Sequence, residues 1–306
     1  MGPSSNRKRG VVEVALAGFC FGFLGIFGRF ASRNGLELGE LLTYRFAVAS
    51  GLLALTLLVL DRKKLLVSRR QIVVCAGLGI LGYAIFANLY FTAINGVSVA
   101  LASLLLYTYP IHVAIGARVL FGEKLSRAQT IALPVALGGL LFLLGGPGTW
   151  SSSGDGGTSA KTFAIVAGLG SALCYAFYIL ASSRLQRTID PLTSGTYVMF
   201  FAALGLFVFH RPDLSRVPEL DFAQASIIMG IAVVCTIAPL VLFLSGLQKL
   251  GNNEASLLST VEPLTAAAMG ALILGETLAT REWIGGALVI AALVITALGR
   301  ESTTPN

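Results

Sequence analysis

Ten long apolar blocks, separated by short polar breaks, run along the whole chain. Each block has about 17–25 mostly apolar residues, the length at which an α-helix crosses a bilayer. Unbroken apolarity of this length excludes a membrane β-barrel, whose strands alternate over about 10 residues. The sequence therefore predicts an all-α integral membrane protein with ten transmembrane helices, at roughly 11–31, 40–60, 71–94, 97–121, 128–145, 162–182, 192–209, 224–247, 254–275 and 282–299.

The distribution of charge predicts the orientation of these helices. Only 12% of residues are charged and the mean hydropathy is +0.81. If the N-terminus is inside, 15 of the 22 Lys and Arg residues fall on the inner side, including the run DRKKLLVSRR at 61–70. Because basic residues collect in cytoplasmic loops, both termini are predicted to be cytoplasmic, in a plasma (inner) membrane protein. The net charge of +7 then reflects topology and contact with membrane lipids rather than nucleic-acid binding.

Motifs for metal, cofactor or nucleotide binding do not occur in the sequence. A GxxxxGK[ST] loop is absent, so the chain has no sign of ATP-driven pumping. The four cysteines lie inside predicted spans without metal-ligand spacing, and we expect them to be small packing residues. These are Cys20, Cys75, Cys174 and Cys235.

One motif is written twice. STVEPLTAAAMGALILGE at 259–276 echoes LYTYPIHVAIGARVLFGE at 106–123, an offset of 153 residues. The same offset aligns ALASLLL at 100–106 with NEASLLS at 253–259. A fixed offset across Ser, Pro, Gly and Glu positions indicates an internal repeat rather than chance similarity of Leu/Ala-rich segments.

The repeat predicts two halves of five spans each. We place the first repeat at 11–146, a Gly/Ser-rich linker at 147–161 and the second repeat at 162–299. Since five is odd, the second half enters the membrane from the opposite side. Inverted repeats of this kind are typical of transporters, with the binding site near the midplane where the halves meet.

Glu262 is the candidate site residue with the clearest signal, because an ionisable group at membrane depth is costly and usually faces the bundle interior or water. It could pair with a substrate ammonium group, take up a proton, or make a structural interhelical hydrogen bond. Two helical faces accompany it, each with a proline expected to bend its span, either to line a cavity or as a static packing kink. They consist of Ser256, Ser259, Glu262 and Pro263, and of Ser103, Tyr107 and Pro110.

Aromatic and amide side chains are predicted to line the same cleft, since a tyrosine ring is apolar while its hydroxyl can form hydrogen bonds. Other polar residues in the spans have simpler interpretations. Tyr90 and Tyr197 are expected at the membrane interface, and His112 as a packing residue. Arg45 is expected to extend toward the outer membrane surface as a structural residue. The predicted lining residues are Tyr83, Asn88, Tyr107, Tyr109, Tyr175 and Tyr178.

These residues also carry a resemblance to a known family. Arg45-Phe46, YFTAINGVSVALASLLLYTYP at 90–110, FGEKLSRAQ at 121–129 and the segment 242–278 resemble EamA-type members of the drug/metabolite transporter superfamily. The resemblance covers nearly the whole chain as two EamA repeats. It implies ten transmembrane helices, a central cavity and the export of amino acids or related small metabolites. The first span departs from many relatives, which carry Trp-Gly where Phe21-Gly22 stands here.

Three functions are compatible with a chain of this class. The sequence favours a secondary transporter that exports small metabolites by alternating access, with protons as a possible second substrate. A membrane-embedded lipid-modifying enzyme needs a nucleophile-base pair or a metal cluster at depth, and the spans offer neither. A non-transporting membrane scaffold does not require Glu262 at depth. We therefore predict a transporter and not an enzyme.

Overall fold

The computed structural model describes residues 3–97, 99–144, 158–274 and 279–299. Within these ranges the chain is helical and contains no β-strand. Nine helical stretches of the described chain are long and apolar enough to cross a membrane, and Arg127–Leu143 is a shorter apolar helix. These ten stretches correspond to the ten predicted blocks, which confirms the predicted fold class.

Several spans consist of more than one helical segment. The π-helical segments Ile80–Ile85 and Val233–Ile237 join α4 to α5 and α11 to α12. Short 3-10 helices follow α3 and α10, at Arg62–Leu65 and Leu214–Glu219. The α-helices are α1 (Pro3–Gly22), α2 (Leu24–Arg33), α3 (Leu38–Asp61), α4 (Arg69–Gly79), α5 (Phe86–Gly96), α6 (Val99–Leu106), α7 (Tyr109–Phe121), α8 (Arg127–Leu143), α9 (Thr158–Leu185), α10 (Pro191–His210), α11 (Phe222–Ala232), α12 (Ala238–Leu250), α13 (Asn252–Leu258), α14 (Val261–Leu274) and α15 (Thr280–Leu298).

The helix boundaries repeat at the same offset as the sequence. Helices α3, α4, α6 and α8 begin 153 residues before α10, α11, α13 and α15, respectively. The two π-helical segments also begin 153 residues apart. A π-helical turn is rare and usually occurs at functional positions. Its presence at the same place in both halves indicates that backbone geometry, and not only composition, is repeated.

Polar residues at the breaks explain where several helices begin. Ser68 and Ser126 each accept a hydrogen bond from the backbone N–H of a glutamine three residues later, and that glutamine side chain bonds back to the serine. Asp221 starts α11 in the same way with Gln224. Each capping box satisfies backbone N–H groups that the first helical turn leaves unpaired.

Helices of one half pack against helices of the other. Helix α3 packs against α10, and α8 packs against α15. Helix α1 packs against α12, just as α9 packs against α5. Helix α1 also contacts α14, just as α9 contacts α7. The pattern is unchanged when the two halves are exchanged, so the centre of the bundle is lined by equivalent segments of both.

Two boundaries differ from the sequence predictions. Helix α1 begins at Pro3 rather than near residue 11. Arg7 in this added segment forms an ion pair with Glu254 of α13, which holds the segment against the bundle. The predicted linker at 147–161 lies outside the described residues up to residue 157, and α9 begins within it at Thr158.

Candidate functional site

Glu262 lies at an interruption between two helices. Helix α13 ends at Leu258 and α14 begins at Val261, so Glu262 stands in the first turn of α14. A carboxylate at this position is favoured by the partial positive charge of a helix N-terminus. Its side chain is half-buried, and the polar groups acting on it are the Tyr107 hydroxyl and the Arg45 guanidinium.

The equivalent interruption occurs in the first half. Helix α6 ends at Leu106 and α7 begins at Tyr109, with Pro110 in its first turn. Pro263 likewise lies near the start of α14. A proline in the first turn lacks an N–H that would be unpaired in any case. The two prolines therefore begin new helices, whereas the sequence suggested bends within continuous ones.

The five tyrosines predicted to share the cleft form one contiguous group, which we call the tyrosine cluster. The Tyr109 and Tyr175 rings meet edge to face with centroids 4.7 Å apart, and those of Tyr83 and Tyr178 at 4.9 Å. Tyr175 and Tyr178 are stacked at 6.2 Å. Tyr107 lies 6.3 Å from Tyr109. Edge-to-face and offset pairs are the preferred aromatic geometries, so the cluster is a packed wall.

Glu262 faces this wall. Its charge acts on the hydroxyl groups of Tyr83, Tyr107, Tyr109 and Tyr175. These tyrosines come from three different spans, so the carboxyl group is surrounded by protein on several sides. Tyr175 remains half-buried like Glu262, whereas Tyr178 is fully buried. Glu262 and Tyr175 therefore keep accessible surface although helices of both halves pack around them.

The small polar residues predicted to line the cleft have local partners. The Ser256 and Ser259 hydroxyls donate to the carbonyl oxygens of Asn253 and Ala255, and both serines are buried. Asn88 Nδ2 donates to the Ala84 carbonyl oxygen at 2.8 Å. Their polar groups are engaged within their own helices.

Ser103 differs from these residues because its partner is on another helix. Its hydroxyl oxygen lies 2.8 Å from the Tyr90 hydroxyl. Tyr90 is stacked on Phe86, which is stacked on Tyr175 in turn. Tyr90, predicted at the membrane interface, is thus partly buried and joined to the tyrosine cluster through Phe86. Its place next to the tyrosine cluster follows from a pairing between α5 and α6 that span position alone does not reveal.

The prediction that Arg45 extends toward the outer membrane surface is wrong. Its side chain is only 6% exposed, and Nε donates to the Thr236 hydroxyl oxygen at 2.7 Å. Its guanidinium carbon lies 4.5 Å from the centroid of the Phe46 ring. The position of Arg45 inside the predicted span 40–60, ahead of the long apolar stretch that follows it, was the signal for an inward position. Thr236 carries no comparable signal in the sequence.

Two glycines of the first span bring α1 against α14 beside Glu262. A Cβ atom on Gly18 would lie 3.3 Å from the Glu262 backbone nitrogen, and one on Gly22 would lie 2.5 Å from Thr265 Cβ. The Gly-x-x-x-Gly pair therefore serves close helix packing at the site itself.

Buried ion pairs join the two halves at the end of the bundle that holds the N-terminus. Lys249 of α12 donates to Glu13 of α1 at 2.5 Å. Arg7 of α1 pairs with Glu254 of α13 at 2.6 Å. These four side chains are 9–18% exposed. These contacts connect α1 of the first half to α12 and α13 of the second half at this end of the bundle.

His112 lies one helical turn after Tyr109 in α7 but is not part of the tyrosine cluster. It borders a separate groove between α7 and α9, on the outer surface of the bundle. Apolar side chains dominate this groove, with one arginine at its rim. The groove is lined by His112, Leu120, Phe121, Leu173, Ala176, Phe177, Leu180, Ala181 and Arg184.

Comparison with known proteins agrees with this architecture. A protein from Archaeoglobus fulgidus named as an uncharacterized transporter is 32% identical over 71% of this chain and 75% of its own. YicL, an inner membrane transporter of Salmonella typhimurium also named as uncharacterized, is 24% identical over 96% of both chains. A solved crystal structure superposes over 94% of this chain and 95% of its own, with a TM-score of 0.77 at 17% identity. That likeness shows a shared fold.

The match to a protein family covers both halves separately. The model of the EamA-like transporter family matches residues 8–145 and again residues 162–298. The two matches correspond to the two sets of equivalent helices, and they leave out the segment that joins them. The chain belongs to the EamA-like transporter family.

Proposed function

We propose that this protein is a secondary transporter that exports amino acids or related small metabolites by alternating access, with Glu262 as the residue that binds the substrate ammonium group or a proton. The observation that carries this proposal is a carboxyl group at a helix interruption, surrounded by tyrosines and still partly accessible. A charge in this position is expensive unless it serves a ligand or a proton.

The two halves supply the mechanism of exchange. We take repeats 11–146 and 162–299, joined by 147–161, as inverted copies with both termini cytoplasmic. Alternating access then requires the halves to separate at one end while they close at the other. The Glu13–Lys249 and Arg7–Glu254 pairs connect the halves at the N-terminal end and are suited to close the cytoplasmic side.

Replacing Glu262 with glutamine tests the binding role. Glu262→Gln keeps size and hydrogen-bonding capacity but removes the charge. A charge-assisted hydrogen bond contributes about 1.5–3 kcal/mol, so apparent affinity for a transported amino acid should fall roughly ten- to a hundredfold. Transport is measured with purified protein in liposomes, with a panel of amino acids, as a function of pH.

The matched control is Glu219→Gln, because Glu219 is exposed in the 3-10 helix Leu214–Glu219 and remote from the tyrosine cluster. It should leave affinity and pH profile unchanged. If Glu262→Gln folds and transports with the wild-type affinity and pH profile, Glu262 is a structural residue and the proposed binding role is wrong.

Crosslinking tests the separation of the halves. Cysteines are introduced for Glu13 and Lys249 in a background that lacks the four native cysteines. Oxidation should stop transport, and a reducing agent should restore it. Each single-cysteine variant serves as its control. Unimpaired transport by the fully crosslinked protein would show that the halves do not separate at this end.

A further inference from the structure

Arg45 is held in a fixed orientation at the centre of the bundle. Its Nε atom donates to Thr236 Oγ1, and its guanidinium lies over the Phe46 ring. Thr236 is fixed in turn, because its hydroxyl donates to the Ile231 carbonyl oxygen at 3.0 Å within the π-helical segment. The threonine hydroxyl proton is thus used, which leaves its oxygen to accept from Arg45. A packed guanidinium of this kind is preorganised to bind an acceptor.

Most of the donors of Arg45 are unused. A guanidinium carries five N–H donors, and Thr236 accepts one of them. Among the described residues, no acceptor lies within hydrogen-bond distance of its two Nη groups, and no carboxylate forms an ion pair with it within 4.0 Å. Neither Nη atom of Arg45 is among the fully buried polar atoms of the described residues that lack a partner, so these donors keep accessible surface at which an anion or water can bind.

Arg45 adjoins the tyrosine cluster, because the Phe46 ring under its guanidinium meets the Tyr83 ring edge to face with centroids 5.4 Å apart. The charge of Arg45 acts on the Glu262 carboxyl group and on the Tyr83 hydroxyl. Yet Arg45 and Glu262 do not meet as an ion pair. Two such residues complement a ligand that places a negative charge next to Arg45 and a positive charge next to Glu262. A solute with adjacent ammonium and carboxylate groups has this property.

We propose that Arg45 binds the carboxylate of the transported solute and thereby selects zwitterions over simple amines. The inference rests on the proposed function, in which Glu262 binds the ammonium group. Two parallel N–H···O bonds from a guanidinium fit a carboxylate better than any arrangement available to lysine. The tyrosine cluster then receives the remainder of the solute, and Arg45 is a specificity-determining residue.

Paired substrates test this role. Leucine and phenylalanine are compared with isoamylamine and phenethylamine, which lack the carboxylate, in liposomes that contain wild-type protein, Arg45→Gln or Arg45→Lys. Arg45→Gln should raise the KM for both amino acids at least about tenfold, as expected for a lost charge-assisted bond, and change the KM for the amines by less than about twofold. Arg45→Lys should fall between, because the charge stays while the two-bond geometry is lost.

A double variant separates carboxylate binding from simple charge balance. If Arg45 only neutralises Glu262, Arg45→Gln combined with Glu262→Gln should transport amino acids better than either single variant. If it binds the carboxylate, the double variant should be the poorest of the three. Thr236→Val adds a variant that keeps Arg45 itself, and it should raise the KM for amino acids but not for amines.

The outcomes distinguish this inference from the proposed function. Equal loss of amino acid and amine transport in Arg45→Gln, Arg45→Lys and Thr236→Val, or rescue by the double variant, overturns the carboxylate role. Normal amino acid transport by Arg45→Gln, with loss in Glu262→Gln, overturns the present inference alone. Wild-type protein that neither transports nor is thermally stabilised by any amino acid overturns both.

Discussion

Glu262 and Tyr109 occupy equivalent positions of the two halves, 153 residues apart, yet they do different things. Each stands at the start of a helix that follows an interruption, and each is followed by a proline. Tyr109 is fully buried, and its hydroxyl donates across the bundle to the Ser256 carbonyl oxygen at 3.1 Å. Glu262 keeps accessible surface and faces the tyrosine cluster. One copy of the motif joins the halves, and the other supplies the charge.

The same division holds at three further pairs of positions. Gly22 packs against Thr265 of α14, one turn after Glu262, and Arg45 is hydrogen-bonded to Thr236. The equivalents of Gly22, Arg45 and Thr236, 153 residues away, are Tyr175, Val198 and Tyr83. The first group is polar or leaves room, while the second is aromatic or aliphatic. Backbone geometry is therefore shared between the halves and side-chain chemistry is not. Under the proposed function, a solute with one ammonium and one carboxylate needs each counter-charge once, which accounts for a two-fold pattern that is broken at Glu262 and Arg45.

Exchanging the two equivalent side chains should have the largest effect. In the double variant Tyr109→Glu/Glu262→Tyr the carboxyl group moves to a position packed against Tyr175 and away from Arg45. An uncompensated buried charge costs about 3–5 kcal/mol, so transport of any amino acid should be undetectable. Transport in liposomes is measured together with elution of folded protein from a sizing column.

Preserved transport in the exchanged protein would mean that the two sides of the site are interchangeable. Tyr109→Phe/Glu262→Gln serves as the matched control, because both positions change and the charge is removed rather than moved to position 109. It should retain residual transport above that of the exchanged protein.

A smaller effect is expected for Gly22, whose equivalent in the second half is Tyr175. A Cβ atom on Gly22 would lie 2.5 Å from Thr265 Cβ and 3.0 Å from the Ala266 backbone nitrogen, so Gly22→Ala overpacks the α1–α14 contact. Overpacking costs about 1–3 kcal/mol, and the thermal unfolding midpoint should fall by several degrees. Gly25→Ala is the control, because no atom lies within 4 Å of its added Cβ. Equal midpoints for the two variants would contradict the close contact at Gly22.

Removing one bridging hydroxyl should have a modest effect. Tyr109→Phe deletes the hydrogen bond to Ser256, worth about 0.5–1.5 kcal/mol, but leaves the ring packing and the charge of Glu262 in place. We expect lower stability and a change in KM of less than about fivefold. Tyr197→Phe is the matched control, because its hydroxyl donates to the Leu65 carbonyl oxygen at 2.6 Å, outside the site. It should cost similar stability without a change in KM.

Much of this architecture follows from the sequence, because apolar length and the repeat offset are one-dimensional properties. The spans, the two halves and the choice of Glu262 as a candidate site residue were all predicted from the sequence alone. The inward position of Arg45 was missed because it depends on Thr236, which is 191 residues away in the chain. The partner of Tyr90 on α6 was missed for the same kind of reason, since the distance of Tyr90 from a span end did not reveal it. Contacts between helices decide such cases, and spacing along one helix does not record them.

The smallest effect is expected at the serines that the sequence placed on the cleft-lining face. The Ser256 and Ser259 hydroxyls each donate to a carbonyl oxygen of their own helix, at 3.0 Å and 2.9 Å. Replacing either with alanine removes a local bond and leaves no unpaired donor, so KM should change by less than about twofold. Ser103→Ala is the informative contrast, because it leaves the Tyr90 hydroxyl without its hydrogen-bond partner. It should raise KM more than Ser256→Ala or Ser259→Ala does. A larger rise in KM for Ser256→Ala or Ser259→Ala than for Ser103→Ala would show that the substrate binds those hydroxyls. The cleft would then be lined by equivalent residues of both halves, as the repeated motif predicts.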